Sequence, residues 1–169
     1  MIYFFDQDIK SKDYSELLNY ALNFCDTLTL RIRNYTKSLD GKKHLWGGEK
    51  QFAEWFDKVS DFTQNHFGEF ILKIDYDAQY GAEKNGHENK IYTIAFNSES
   101  LKKLLVVNSL FGWNSGHTPE DLHLYTNGNC WLETISHEKI CYIHDDSEEL
   151  KALLREMNIK FWDGEDDED

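Results

Sequence analysis

The chain has 169 residues, 40% hydrophobic and 15% aromatic, with a single proline, Pro119. That apolar load suits one self-sufficient core and excludes an intrinsically disordered chain. A net charge of -13 argues against nucleic acid, whose binding draws on clustered Lys and Arg. It favours a basic protein as partner, through long-range steering.

The charge is unevenly placed. Six acids fall in the last seven residues, Asp163 to Asp169, a self-repelling run read as a disordered tail. Residues 118–150 hold eight acids and one lysine, whereas residues 31–50 hold six bases (Arg31, Arg33, Lys37, Lys42, Lys43, Lys50) and two acids. The N-terminal stretch lacks the basic region and cleavage pattern of a signal peptide. No apolar run approaches the ~20 residues that span a bilayer. Three cysteines, Cys25, Cys130 and Cys141, form an odd set without a close pair, so no disulfide framework is expected. These features place the chain in the cytoplasm, with no membrane partner.

In chain order, residues 2–5 read as a short strand. Tyr14, Leu17, Leu18, Ala21, Leu22 and Cys25 follow helical spacing over 13–25, with Asp13 and Glu16 at capping-box separation. Residues 27–33 alternate as a strand, with Leu28, Leu30 and Ile32 on one side and Arg31 and Arg33 on the other. A basic loop leads to a helix over 49–67 that Gly68 would close as a left-handed cap. Strands at 70–76 and 91–96 pair as a hairpin, and Ser98 opens a short helix. A loop over 112–121 precedes a meander of strands near 122–126, 130–136 and 140–144, with Asn127-Gly128 as the hairpin turn. A helix over 147–157 carries a second capping-box spacing, Asp146 and Glu149. Residues 159–162 add an edge strand. Hairpins outnumber crossovers, so the expected fold is α+β. A mainly antiparallel sheet carries about four helices packed largely on one face, in one domain over 1–162 with the acidic tail at 163–169.

Pro119-Glu120-Asp121-Leu122, Asn127 to Leu132, Ser136-His137-Glu138 and Cys141 together resemble a block found in small uncharacterised bacterial proteins, some labelled stage III sporulation protein AH. The resemblance covers about 25 residues. It implies a family of unknown function and supplies no site residues.

The familiar catalytic templates are missing. Gly112-Trp113-Asn114-Ser115-Gly116 has its serine one place late for a nucleophile elbow. Asp75-x-Asp77-x-Gln79 begins like a calcium loop, but Tyr80 and Gly86 stand where glycine and glutamate are needed. There is no P-loop and no dinucleotide fingerprint. Four histidines (His117, His123, His137, His144) lie near Cys130 and Cys141. The one tight pair, Cys141-x-x-His144, has an odd spacing that sends its side chains to opposite faces of a strand. No metal and no cofactor are therefore expected. His117, His137 and Glu138 are the candidates for acid–base chemistry. Trp113, in a glycine-rich loop, reads as an exposed recognition anchor, with Asn114, His117, Glu120 and Asp121 beside it. Arg31 and Arg33 either pair with neighbouring strand carboxylates, the favoured reading, or offer a face for an anion or acidic partner. The leading functional reading is a non-catalytic, immunity-type module that masks a basic toxin or nuclease. The alternative is a small hydrolase-like enzyme with a His/Glu site around 112–138. A sporulation role rests on the label alone.

Overall fold

The computed structural model describes residues 3–32, 49–77, 89–114 and 116–162. The basic segment after Ile32 with Arg33, the loop after Asp77 and the acidic tail lie outside the described residues. Among the described residues, seven strands form one antiparallel sheet: β1 (Tyr3–Phe5), β2 (Thr27–Ile32), β3 (Ile71–Asp77), β4 (Asn89–Ala95), β5 (Glu120–Thr126), β6 (Asn129–Ile135) and β7 (Ile140–Ile143). They lie in the order β1-β7-β6-β5-β2-β4-β3. The described residues also form four α-helices: α1 (Ser11–Ala21), α2 (Glu49–Phe67), α3 (Ser98–Leu104) and α4 (Glu148–Glu156). The architecture is α+β, as the hairpin-rich pattern predicts. Among the described residues no helix is long and apolar enough to cross a membrane.

Period-two alternation sorts the sheet into two faces. Leu28, Leu30 and Ile32 of β2, Tyr92 and Ile94 of β4, Leu122 and Leu124 of β5, Leu132 of β6 and Cys141 and Ile143 of β7 are all buried. They share one core with Tyr14, Leu17 and Leu18 of α1, Val59 and Phe67 of α2, Leu101 and Leu104 of α3 and Leu150 and Leu154 of α4. The opposite face is mixed and half-buried. One cross-strand row runs Phe4, Tyr142, Glu133, His123, Thr29, Thr93, Lys73 through all seven strands. The side chains able to do chemistry lie mostly on this second face.

The helix starts correct the sequence reading. Asp13 and Glu16 do not cap α1. The helix begins at Ser11, after Lys10, without a side-chain cap. Tertiary pairing fixes its entry instead: Ser11 N–H donates to Asn108 O (3.0 Å), and Lys10 bridges Ser109. Asn97 caps α3 by accepting from the Glu99 and Ser100 amides. Ser147, not Asp146, caps α4, its Oγ accepting from Leu150 N–H at 3.3 Å. Gly68 is not left-handed; α2 runs into a 3₁₀ turn at Gly68–Phe70. Asn127 (φ 49°) and Gly128 (φ 80°) do form the left-handed pair that closes the β5–β6 hairpin. Residues near 159–162 contribute a single bridge, Phe4 to Trp162, and no strand.

Candidate functional site

Two β-bulges decide what the second face presents. On β5, Thr29 pairs with His123 while Arg31 pairs with Glu120, so β5 carries one residue more than β2 over this stretch. Asp121 takes the strain, at φ 57°. On β6, Leu124 pairs with Leu132 while Tyr125 pairs with Cys130, which leaves Trp131 as the extra residue. Bulges re-aim side chains and recur at functional sites.

The first bulge buries two acids. Glu120 is 0% exposed and Asp121 2%. The Asp121 carboxylate accepts the Ser136 amide at 2.9 Å. Beside it, the Thr134 hydroxyl bonds Ser136 Oγ at 3.1 Å. His137 reaches the same place: one ligand atom each from Glu120, Asp121 and His137 lies within 4.8 Å of the others. His137 also stands 3.6 Å from Glu138, and both are exposed. His117 is exposed as well and belongs to no such group among the described residues. The structure thus joins His137 to Glu120 and Asp121 rather than to His117.

The other residues proposed from sequence are placed as follows. Trp113 is not an exposed anchor. It is fully buried, donates its indole N–H to the Tyr14 hydroxyl (2.9 Å) and packs against Phe67. Asn114 is exposed and bridges Glu120. Arg31 is half-buried on the second face, opposite Glu120 in register. Arg33 lies outside the described residues.

Sequence reasoning missed the second site, at the end of the sheet where the β5–β6 turn, the β7–α4 junction and the end of α1 meet. An open cleft of about 330 Å³ is lined by Tyr20, Phe24, Thr126, Cys130, Trp131 and Asp145, with Asn129, His144 and Ser147 around them. Three rings form its apolar wall: Phe24 meets Trp131 edge-on at 5.0 Å, and Tyr20 lies 5.4 Å from Phe24 and 6.1 Å from Trp131. Trp131 is held in place by its indole N–H, which donates to Asp145 Oδ2 at 2.9 Å. The other Asp145 oxygen accepts the Asp146 and Ser147 amides at 2.7 and 2.8 Å. Burial alone would raise the Asp145 carboxyl; these hydrogen bonds outweigh it and hold the group below its ordinary value. Among the described residues no lysine or arginine lines the cleft, and Asp146, Glu148 and Glu149 follow Asp145 closely along the chain.

Burial pushes the Cys25 and Cys130 thiols up to about 11 and Cys141 well above its ordinary value. At neutral pH all three are protonated and weakly nucleophilic. Cys141 is buried and His144 exposed, as their odd spacing predicts.

His123 sits between the two sites. Its Nε2 lies 3.3 Å from Thr134 O and its Nδ1 3.4 Å from the Tyr125 hydroxyl. Burial lowers its pKa; Arg31 adds to that, while Glu133, Asp121 and the Thr134 carbonyl oppose it. A depressed folded-state value means the unfolded chain takes up the proton first. Stability is therefore complete above the ordinary histidine value of about 6.5 and declines as pH falls below it. Urea midpoints across pH 5–8 in metal-free buffer should fall on that side, and His123→Gln should flatten that part of the curve. An unchanged slope in the variant would assign it to other groups.

No family model, curated protein or solved structure matches the chain.

Proposed function

We propose that this protein is a non-catalytic, immunity-type binding module. Its cleft seats a lysine or arginine side chain of a basic partner. The observation that carries this reading is the cleft itself, with three aromatic rings, a fixed carboxylate and, among the described residues, no lysine or arginine in its lining. Aromatic faces attract cations by about 0.5–2 kcal/mol depending on desolvation. The lowered Asp145 carboxyl stays ionised to meet the charge. Acidic steering brings a basic surface toward the cleft. The same density of acids is visible in the sequence of 118–150, but its aromatic counterpart is Trp131 with Tyr20 and Phe24, not Trp113.

Titration with N-acetyl-arginine methylamide and N-acetyl-lysine methylamide, followed by amide and indole NMR, checks this reading. The Trp131 indole and the amides of 126–131 and 144–147 should shift, and the shifts should shrink with salt. Charge reversal at Glu148 and Glu149 should weaken a basic partner recovered by affinity capture, chiefly in its association rate. Shifts spread over the whole surface, or equal shifts with an acidic analogue, would remove the support.

A hydrolase-like enzyme is a second reading, favoured by the gathering of Glu120, Asp121 and His137 around a strained bulge. It predicts ester or amide hydrolysis abolished by His137→Ala. Activity unchanged in that variant would end it.

A further inference from the structure

We propose that Cys130, Glu133 and His144 form a zinc site at the mouth of the cleft, an inference independent of the binding reading above. In a regular strand, residues 130 and 133 point to opposite faces. The bulge at Trp131 reverses that parity: Cys130 pairs with Tyr125 and Glu133 with His123, and Tyr125 and His123 share a face. Glu133 in turn pairs with Tyr142 on β7. Two residues further, His144 N–H donates to Trp131 O at 2.8 Å, which carries the ladder past β7 and sets the imidazole on the face of Tyr142. A thiol sulfur, a carboxylate oxygen and an imidazole nitrogen thereby come within 4.8 Å of one another.

This donor set suits zinc. Bonds of about 2.0–2.3 Å in a tetrahedron separate ligand atoms by about 3.3–3.8 Å, so no pair has to close by more than about 1.5 Å, within reach of side-chain rotation. Mixed sulfur, nitrogen and oxygen donors select zinc over calcium and magnesium, which take oxygen alone. Cys130 and His144 both line the open cleft, which supplies an entry path. Three protein ligands leave the fourth position for water or for a carboxylate, imidazole or thiolate of an incoming molecule. On binding, the Cys130 S–H bond breaks, the Zn–S bond forms and the proton passes to solvent. Thiolate and carboxylate together balance the charge of the ion.

The full chain, freed of metal by chelation, would be titrated with Co²⁺ and then Zn²⁺. One equivalent of Co²⁺ should give the intense visible bands of tetrahedral coordination and a thiolate charge-transfer band, and one equivalent of Zn²⁺ should abolish both. Cys130→Ser should remove the charge-transfer band. Both Cys130→Ser and His144→Ala should weaken Zn²⁺ binding by at least about 100-fold. His144 is exposed, so its variant should fold normally by circular dichroism and keeps the test decisive should Cys130→Ser misfold. His137→Ala should leave affinity unchanged. Absence of saturable binding, affinity retained in folded His144→Ala, or affinity lost in His137→Ala would overturn the assignment, the last in favour of the Glu120–Asp121–His137 group.

Discussion

Trp113→Ala should lower stability by about 3–5 kcal/mol, the range for removing a fully buried aromatic side chain. The indole is 0% exposed and so is its hydrogen-bond partner Tyr14. Two separable contributions meet there. Trp113→Phe keeps most of the ring volume but leaves the Tyr14 hydroxyl without its donor, so it should cost about 1–3 kcal/mol. With Tyr14→Phe added, the buried polar mismatch disappears and part of that loss should return, visible as a favourable coupling in a double-mutant cycle. Urea midpoints at constant slope give these values. A cost below about 1 kcal/mol for Trp113→Ala would contradict the packing described for this tryptophan.

The second large effect is expected at Asp121, where backbone and side chain make different demands. A left-handed backbone costs an ordinary residue about 1–2 kcal/mol; short polar Asp and Asn tolerate it and glycine is free of it. The carboxylate separately accepts the buried Ser136 amide, a charged hydrogen bond worth about 1.5–3 kcal/mol. Asp121→Ala fails on both counts and should lose about 2.5–5 kcal/mol in sum. Asp121→Gly keeps the backbone and loses the bond, so it should fall between. Asp121→Asn keeps both the conformation and an acceptor and should lose least. Thermal and urea unfolding should return that order. A stable Asp121→Asn protein also removes the charge without the fold, so it separates a structural carboxylate from one that the hydrolase reading needs.

Much of the fold was legible because it rests on periodicity. The apolar stripe of α1, the alternation of β2 and the Asn127-Gly128 turn are local patterns, and each led to the right element. The helix starts were less legible, since Ser11 is held by Asn108 from far along the chain. The sites were hardest to read. Glu120, Asp121 and His137 were all singled out, but as members of two different groupings. Nothing in the spacing marks Asp121 or Trp131 as an extra residue, because a bulge shows only against the partner strand. The parity rule that correctly separated Cys141 from His144 hid Cys130 from joining Glu133. Trp113 misled for a related reason: glycine and asparagine neighbours suggest an exposed loop, yet Tyr14 and Phe67, distant in sequence, enclose the indole.

The outermost pairing of the sheet also sets an order of events during synthesis. β1 lies against β7, and Phe4 exchanges two backbone hydrogen bonds of 3.0 Å with Trp162. Residues that leave the ribosome early therefore wait, unzipped, for partners made some 140–160 positions later. Such distant closure is slow by its nature. A nascent chain arrested before residue 140 should remain open to protease at its N-terminal end even while α1, β2 and α2 are already complete.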